Sequence, residues 1–230
     1  MPDSGALNAA DKPVIQIHTD NSSLIFRIAD NGRLYQSYLG KKLSHETDIS
    51  HLPHGTEAYI THGMEDYFEP AIHILHNDGN PSLLLKYVSH ETKAVSQGVN
   101  ETIITLGDDK YPVTVKLHYV TYPAEDIIKT YTEISHKEKK PVVLHQYASS
   151  MLHLNRAKYY LTEFAGDWAH EANVTERELA FGKKVIDTKL GARANMFVSP
   201  FFQLALDNPS QENAGEVLVG TIGWTGNFRF

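Results

Sequence analysis

The chain has 230 residues, of which 41% are hydrophobic and 21% charged, enough to bury a sizeable core in one large domain or two small ones. Its 21 Lys and Arg against 28 Asp and Glu leave a formal net charge of −7, which argues against nucleic acid or an anionic membrane as partner, since both require basic patches. With 0 Cys, there can be no disulfide, thiol nucleophile or cysteine-ligated metal. No apolar run is long enough to span a bilayer. Residues 1–13 (MPDSGALNAADKP) form a polar tail without the basic start and apolar stretch of a signal peptide, so a soluble chain is expected. Residues 14–230 show no linker and read as one domain.

The elements read as strands from end to end. Leu24, Phe26 and Ile28 alternate with Ser23, Ile25 and Arg27, the period of two that marks a strand. Asp30-Asn31-Gly32 follows, then the apolar residues 34–39. Asn-Gly between apolar runs predicts a hairpin with a type I′ turn, which needs positive φ at both central residues. Asn77-Asp78-Gly79-Asn80-Pro81 separates residues 71–75 from 83–90. Gly107-Asp108-Asp109-Lys110 separates 103–106 from 113–120. In the last of these segments Val113, Val115, Leu117 and Tyr119 point one way, and Thr114, Lys116 and His118 the other. Residues 136–140 separate 127–135 from 142–152. Turn signals every 8–12 residues or so predict an antiparallel all-β sandwich. Residues 168–179 (WAHEANVTEREL) are the nearest to a helix, but Gly166 and Gly182 bracket them and Val174-Thr175 is β-branched. Strand or irregular structure is expected there. Residues 216–230 read as an apolar strand running to the last residue, the pattern of a domain cut from a longer protein.

Reactive groups are sparse. The chain has no G-x-S-x-G, P-loop, G-x-G-x-x-G or H-E-x-x-H motif. His45, His51, His54 and His62 share a loop-like stretch with Glu46, Asp48, Glu57 and Glu65. Imidazoles and carboxylates together suit Zn²⁺, but a His-rich polar surface loop is the better expectation, and no metal or other cofactor is assigned. His73 and His76, three apart on a strand, face opposite sides and would not chelate together. Glu65-Asp66 precedes Tyr67-Phe68, and Asp167 precedes Trp168. An acid beside an aromatic can hold a sugar, the carboxylate taking hydroxyls while the ring stacks on the apolar face. Core or rim aromatics beside ordinary surface acids are the plainer alternative.

These residues carry a resemblance. Residues 160–171 (YLTEFAGDWAHE) resemble the "LsGxWaRE" segment in the N-terminal domain of family 36 glycoside hydrolases, the bacterial-type α-galactosidases. Residues 63–71 (GMEDYFEPA) resemble that family's "GxGDfRxPA", and residues 85–90 (LKYVSH) its "lrYvsh". Leu190-Gly191-Ala192 with residues 199–204 (SPFFQL) resembles "rGasSHqhnPFfaL". Gly215-Glu216-Val217 and Gly226-Asn227-Phe228 resemble "GevyG" and "SGNF". The matches run in order from about residue 23 to the end.

The resemblance implies a large antiparallel β-supersandwich of two packed sheets, galactose-mutarotase-like. It also implies a (β/α)₈ barrel downstream that carries both catalytic aspartates, so no catalytic residue lies in these 230 residues. The chain would then support the barrel active site and oligomer assembly of an enzyme acting on terminal α-galactosides. Its implied partners are the barrel, the α-galactoside and a homo-oligomer. In some tetrameric members the loop at 60–70 reaches a neighbouring active site. That makes His62, Asp66 and Tyr67 candidate substrate-binding residues, with Trp168, the aromatic beside Asp167, as a further one. Phe68 stands where the family carries Arg and cannot donate to a hydroxyl; His170 also replaces an Arg. The alternative function is a free-standing carbohydrate-binding or structural β-sandwich using Tyr67, Trp168 or Trp224 as a platform.

Overall fold

The structure, a computed structural model, describes residues 12–64, 68–194 and 196–230. The expected polar tail at residues 1–13 thus lies almost wholly outside the described residues. Nearly all regular structure is β-strand, and every strand-to-strand ladder is antiparallel. The described residues fall into two compact units, the first running to Leu154 and the second from Asn155 to Phe230.

The first unit opens with β1 (Val14–His18), β2 (Ser22–Ile28) and β3 (Leu34–Lys41), a meander to which the two-residue β4 (Thr56–Glu57) adds. Between β3 and β4 lies α1 (Glu46–Ser50). The His-rich stretch expected as loop therefore contains one helical turn, too short to announce itself by periodicity. Strand β5 (Ile72–Leu75) pairs with β10 (Val143–Tyr147) from far along the chain. Between them β6 (Leu85–Ser96), β7 (Val99–Asp108), β8 (Val113–Tyr122) and β9 (Ile127–His136) form a second four-stranded meander.

The alternation in β8 does what it predicts. Val113, Val115, Leu117 and Tyr119 are buried and join one core with Ile15, Ile17, Leu24, Phe26 and Ile28 from the β1–β4 sheet and Ile72 and Ile74 from β5. Burying these side chains supplies the main driving force, roughly 1.5–3 kcal/mol for each large one.

The Asp30-Asn31-Gly32 hairpin forms, but not with a type I′ turn. Gly32 has φ +79° while Asn31 is not in the positive-φ region. Gly32 N–H donates to the Ala29 carbonyl (2.9 Å) and Ala29 N–H to the Arg33 carbonyl (3.0 Å). This is a three-residue loop, a type I turn closed by a left-handed glycine. The turn after β5 repeats it: Gly79 N–H donates to His76, His76 N–H donates to Asn80, and Gly79 has φ +84°. One extra loop residue lets Asn31 keep an ordinary φ and bond the Arg33 N–H through its side chain (3.0 Å).

In the second unit β11 (Tyr159–Asp167) and β12 (His170–Glu178) form a hairpin, so the segment 168–179 is a turn followed by strand and not helix. No β12 residue is buried, which is why its sequence shows no clear period. The two-residue β13 (Asp187–Thr188) precedes β14 (Val198–Leu206) and β15 (Val217–Thr221), and pairs with β16 (Phe228–Arg229). The main sheet runs β12-β11-β14-β15. Leu161, Ile186, Ala194 and Phe228 form this unit's own core, with Phe202, Leu204 and Phe230 packed against it.

Candidate functional site

The loop at 60–70 starts and ends beside β5. Ala71 N–H donates to the Ile60 carbonyl (2.7 Å) and His62 N–H to the Ile72 carbonyl (3.0 Å). The Thr61 hydroxyl donates to the Leu83 carbonyl (2.6 Å). Gly63 has φ +85°, and a Cβ there would lie 2.8 Å from Ser82 Oγ and 2.9 Å from Ser82 Cα, so the loop turns where only glycine fits. Gln146 of β10 donates to the Pro70 carbonyl (2.7 Å), fixing the exit. Phe68, in the position of the family Arg, is 66% exposed. Glu65, Asp66 and Tyr67 lie outside the described residues.

His62 does not stand alone. Its ring stacks on His73 of β5 at 3.8 Å between centroids, and His73 lies 4.8 Å from His145 of β10. Burial, then the neighbouring His62 and His145, hold the His73 ring below the ordinary imidazole range. A neutral imidazole offers one N–H donor and one lone pair, a match for a hydroxyl. His76, as expected, faces away from His73. It is buried, 2.7 Å from Glu138 Oε1 and stacked on Tyr111 at 3.5 Å. Met64 and Tyr111 line a cleft of about 210 Å³ beside the loop, with Asn80, Ser82 and Asp109.

Trp168 belongs to the second unit. It sits at the β11–β12 hairpin tip, 87% exposed, its N–H bonded to its neighbour Asp167 Oδ1 (2.7 Å). The remaining histidines do not converge. His45 and His51 flank α1, and His51 Nδ1 bonds the Thr47 carbonyl (2.6 Å). Among the described residues no three His, Asp or Glu are grouped to hold a metal.

Sequence reasoning missed His73 and His145 as neighbours of His62, because only the β5–β10 pairing brings residues 73 and 145 together. It also missed a cluster on the outer face of the β6–β9 sheet. Glu101 Oε1 accepts from the Tyr131 hydroxyl (2.6 Å) and His118 Nδ1 (2.9 Å), and Oε2 meets Lys93 Nζ at 3.0 Å. The Tyr131, His118 and Lys93 bonds, in that order, pull the Glu101 carboxyl down to about 2, and the same bond to Glu101, with burial, pushes the Tyr131 phenol up to about 12. Its members bond one another and form no nucleophile–base pair, so the effect of the cluster is on stability. Because the folded carboxyl sits below its unfolded value, its contribution is complete above pH 4.5 and is lost as pH falls toward 2. Glu101→Gln is expected to cost about 1.5–3 kcal/mol at neutral pH, the range for bonds to charged groups. In acid titration of both proteins by denaturant melts, the gap should close across that window. A gap independent of pH would rule the ionised network out.

Residues 31–230 match the family described as the Glycosyl hydrolase family 36 N-terminal domain. The chain belongs to that family. Curated relatives include Alpha-galactosidase 2 of Hypocrea jecorina, 27% identical over 179 residues that make up 72% of this chain and 24% of that protein. Alpha-galactosidase C of Emericella nidulans is 26% identical over 180 residues, again 72% and 24%. This chain therefore spans about a quarter of the length of the curated relatives it matches. Among solved structures, the α-galactosidase from Lactobacillus brevis superposes with TM-score 0.82 at 22% identity, over 97% of this chain and 34% of that one. A doubly substituted form of the Geobacillus stearothermophilus family 36 α-galactosidase AgaA, in complex with raffinose, gives 0.85 at 20% identity, over 94% and 35%. These likenesses establish the all-β fold of family 36 N-terminal domains for this chain, as the turn spacing and the resemblance predict.

Proposed function

We propose that this chain is the non-catalytic N-terminal β-supersandwich of an α-galactosidase, with residues 14–230 acting as one structural domain. The observation that carries the proposal is the family match over residues 31–230 in a chain that spans only 24% of its curated α-galactosidase relatives. The remainder of such a protein supplies a (β/α)₈ barrel. There two carboxylates about 5–5.5 Å apart hydrolyse a terminal α-galactosyl bond with retention, one as nucleophile and one as acid then base. The 230-residue chain alone is then expected not to release chromophore from an aryl α-galactoside.

In this proposal the loop at 60–70 lines the mouth of a barrel pocket, in the same chain or a neighbouring one. Asp66 accepts hydrogen bonds from sugar hydroxyls, as an ionised carboxylate can. Tyr67 offers an apolar face, and His62, backed by the His73 ring, a polar edge. Trp168, 87% exposed, gives a second stacking surface at its hairpin tip. The test is Asp66→Ala in the full-length enzyme. Losing a charge-assisted contact of about 1.5–3 kcal/mol lowers kcat/KM at least tenfold or so, with melting unchanged. Unchanged kinetics with unchanged melting would reduce Asp66 to a surface residue.

A further inference from the structure

Three imidazoles from three separate segments meet beside β5. His62 stands on the first arm of the loop at 60–70, His73 on β5 and His145 on β10. His62 and His73 lie face to face, 3.8 Å between centroids with 18° between planes. The β10 ladder shifts register between Leu144 and Gln146, so His145 is the extra residue of a bulge, and its ring lies 4.8 Å from that of His73. Backbone bonds hold the same arm: His62 N–H donates to the Ile72 carbonyl (3.0 Å) and Ala71 N–H to the Ile60 carbonyl (2.7 Å). Two buried histidines of this unit have a carboxylate at hand as counter-charge. His76 lies 2.7 Å from Glu138 Oε1, and His118 lies 2.9 Å from Glu101 Oε1. The cluster at His73 is built the other way. His62 faces it from the loop and His145 from β10. Glu69, at the loop's exit, meets Gln146 Nε2 at 3.4 Å, and among the described residues no carboxylate bonds any of the three rings.

We propose that this cluster is a proton-sensitive fastening of the loop. With His73 uncharged, the arm at 60–64 stays stacked on β5. A proton taken up in acid sets like charges in ring-to-ring contact and frees the arm from β5. Burial, then the neighbouring His62 and His145, hold His73 below the ordinary imidazole value of 6.5. Once the arm leaves, the ring faces water and one neighbour fewer, which relieves that depression. The freed state therefore binds more protons than the fastened one. Fastening is complete above pH 6.5 and is lost as pH falls below it. A release coupled to one proton grows at most about tenfold for each pH unit. On the reading of the loop given above, on which this consequence rests, the same release withdraws the loop from substrate in acid.

Amide exchange on the full 230-residue chain, corrected for the intrinsic rate at each pH, reads the arm directly. Protection of the His62 and Ala71 amides should fall at least about tenfold between roughly pH 7.5 and pH 5, within what one linked proton allows. Amides of the β7–β8 ladder should keep theirs. His73→Phe keeps a flat ring against His62 and takes no proton, so its arm should stay protected in acid. His73→Gln, polar without the charge, should do the same. Glu65→Gln with Asp66→Asn should leave the acid loss as it is. Four results would each overturn the inference: protection independent of pH, an equal acid loss in both His73 variants, an acid loss abolished by Glu65→Gln with Asp66→Asn, or a parallel loss throughout the β7–β8 ladder. A full-length enzyme separates the fastening from the substrate reading. If KM for an aryl α-galactoside fails to rise in acid while exchange shows a release that His73→Phe removes, the fastening stands and the loop's contact with substrate does not.

Discussion

Glu57→Ala is expected to destabilise the first unit by about 3–5 kcal/mol, the range for breaking one side of a buried ion pair. Arg33 leaves the first hairpin turn, and its Nε donates to Glu57 Oε1 at 2.9 Å while Nη2 donates to Oε2. Both side chains are almost wholly buried. A bidentate fork of this kind fixes geometry as well as charge. Glu57 also belongs to a larger junction. Its carbonyl meets His153 Nε2 at 2.8 Å, and His153 exchanges two bonds with the Gln36 side chain at 2.6 and 3.1 Å. Removing the carboxylate strands a guanidinium inside the protein, so the cost exceeds the net worth of the pair. Replacing both partners, Arg33→Met with Glu57→Leu, should therefore cost far less than either single alanine. Denaturant melts of the three proteins decide it. A Glu57→Ala protein within about 1 kcal/mol of the parent, the upper range for exposed pairs, would mean that water reaches the fork.

How much of the fold is legible in the sequence follows from the range of the interactions. The β8 alternation is local, so its spacing alone assigns Val113, Val115, Leu117 and Tyr119 to the core, whereas His118, on the opposite face, is buried by its neighbours and not left to solvent. Asp30-Asn31-Gly32 is legible as a reversal but not as a turn type. Asn-Gly signals the reversal, whereas the loop length that selects I′ or I depends on where the strands close. Strand β12 has solvent on both sides, so burial imposes no period on it, and only the glycines and β-branched pair point to strand. The cluster of His62, His73 and His145 rests on a pairing between strands about seventy residues apart. The Glu101–His118–Tyr131 cluster is likewise assembled by register across three strands. Long-range pairing of this sort leaves no trace in spacing. The motif order behind the family resemblance is a different kind of signal. It reaches the family, where local physics stops at an antiparallel sandwich.

Phe26→Ala should cost about 3–5 kcal/mol, the range for emptying a fully buried aromatic site. Phe26 is 0% exposed, and its ring sits 5.2 Å from that of Tyr119, so it ties β2 of the first sheet to β8 of the second. The same core holds Ala58, Tyr59, Ala71 and Ile72, which stand at the two ends of the loop at 60–70. A cavity at Phe26 therefore weakens the platform under the candidate loop without touching the loop itself. Phe26→Leu keeps much of the volume and should cost distinctly less. In a full-length enzyme the two kinds of substitution should separate. Phe26→Ala lowers the melting of this unit and leaves kcat/KM near the parent value well below that melting. Asp66→Ala does the reverse. If Phe26→Ala instead depresses kcat/KM at temperatures where the fold is intact, the loop's position depends on fine packing of the core. The His62–His73 stack, fixed to β5 at the edge of that core, would then be the place where the shift is transmitted.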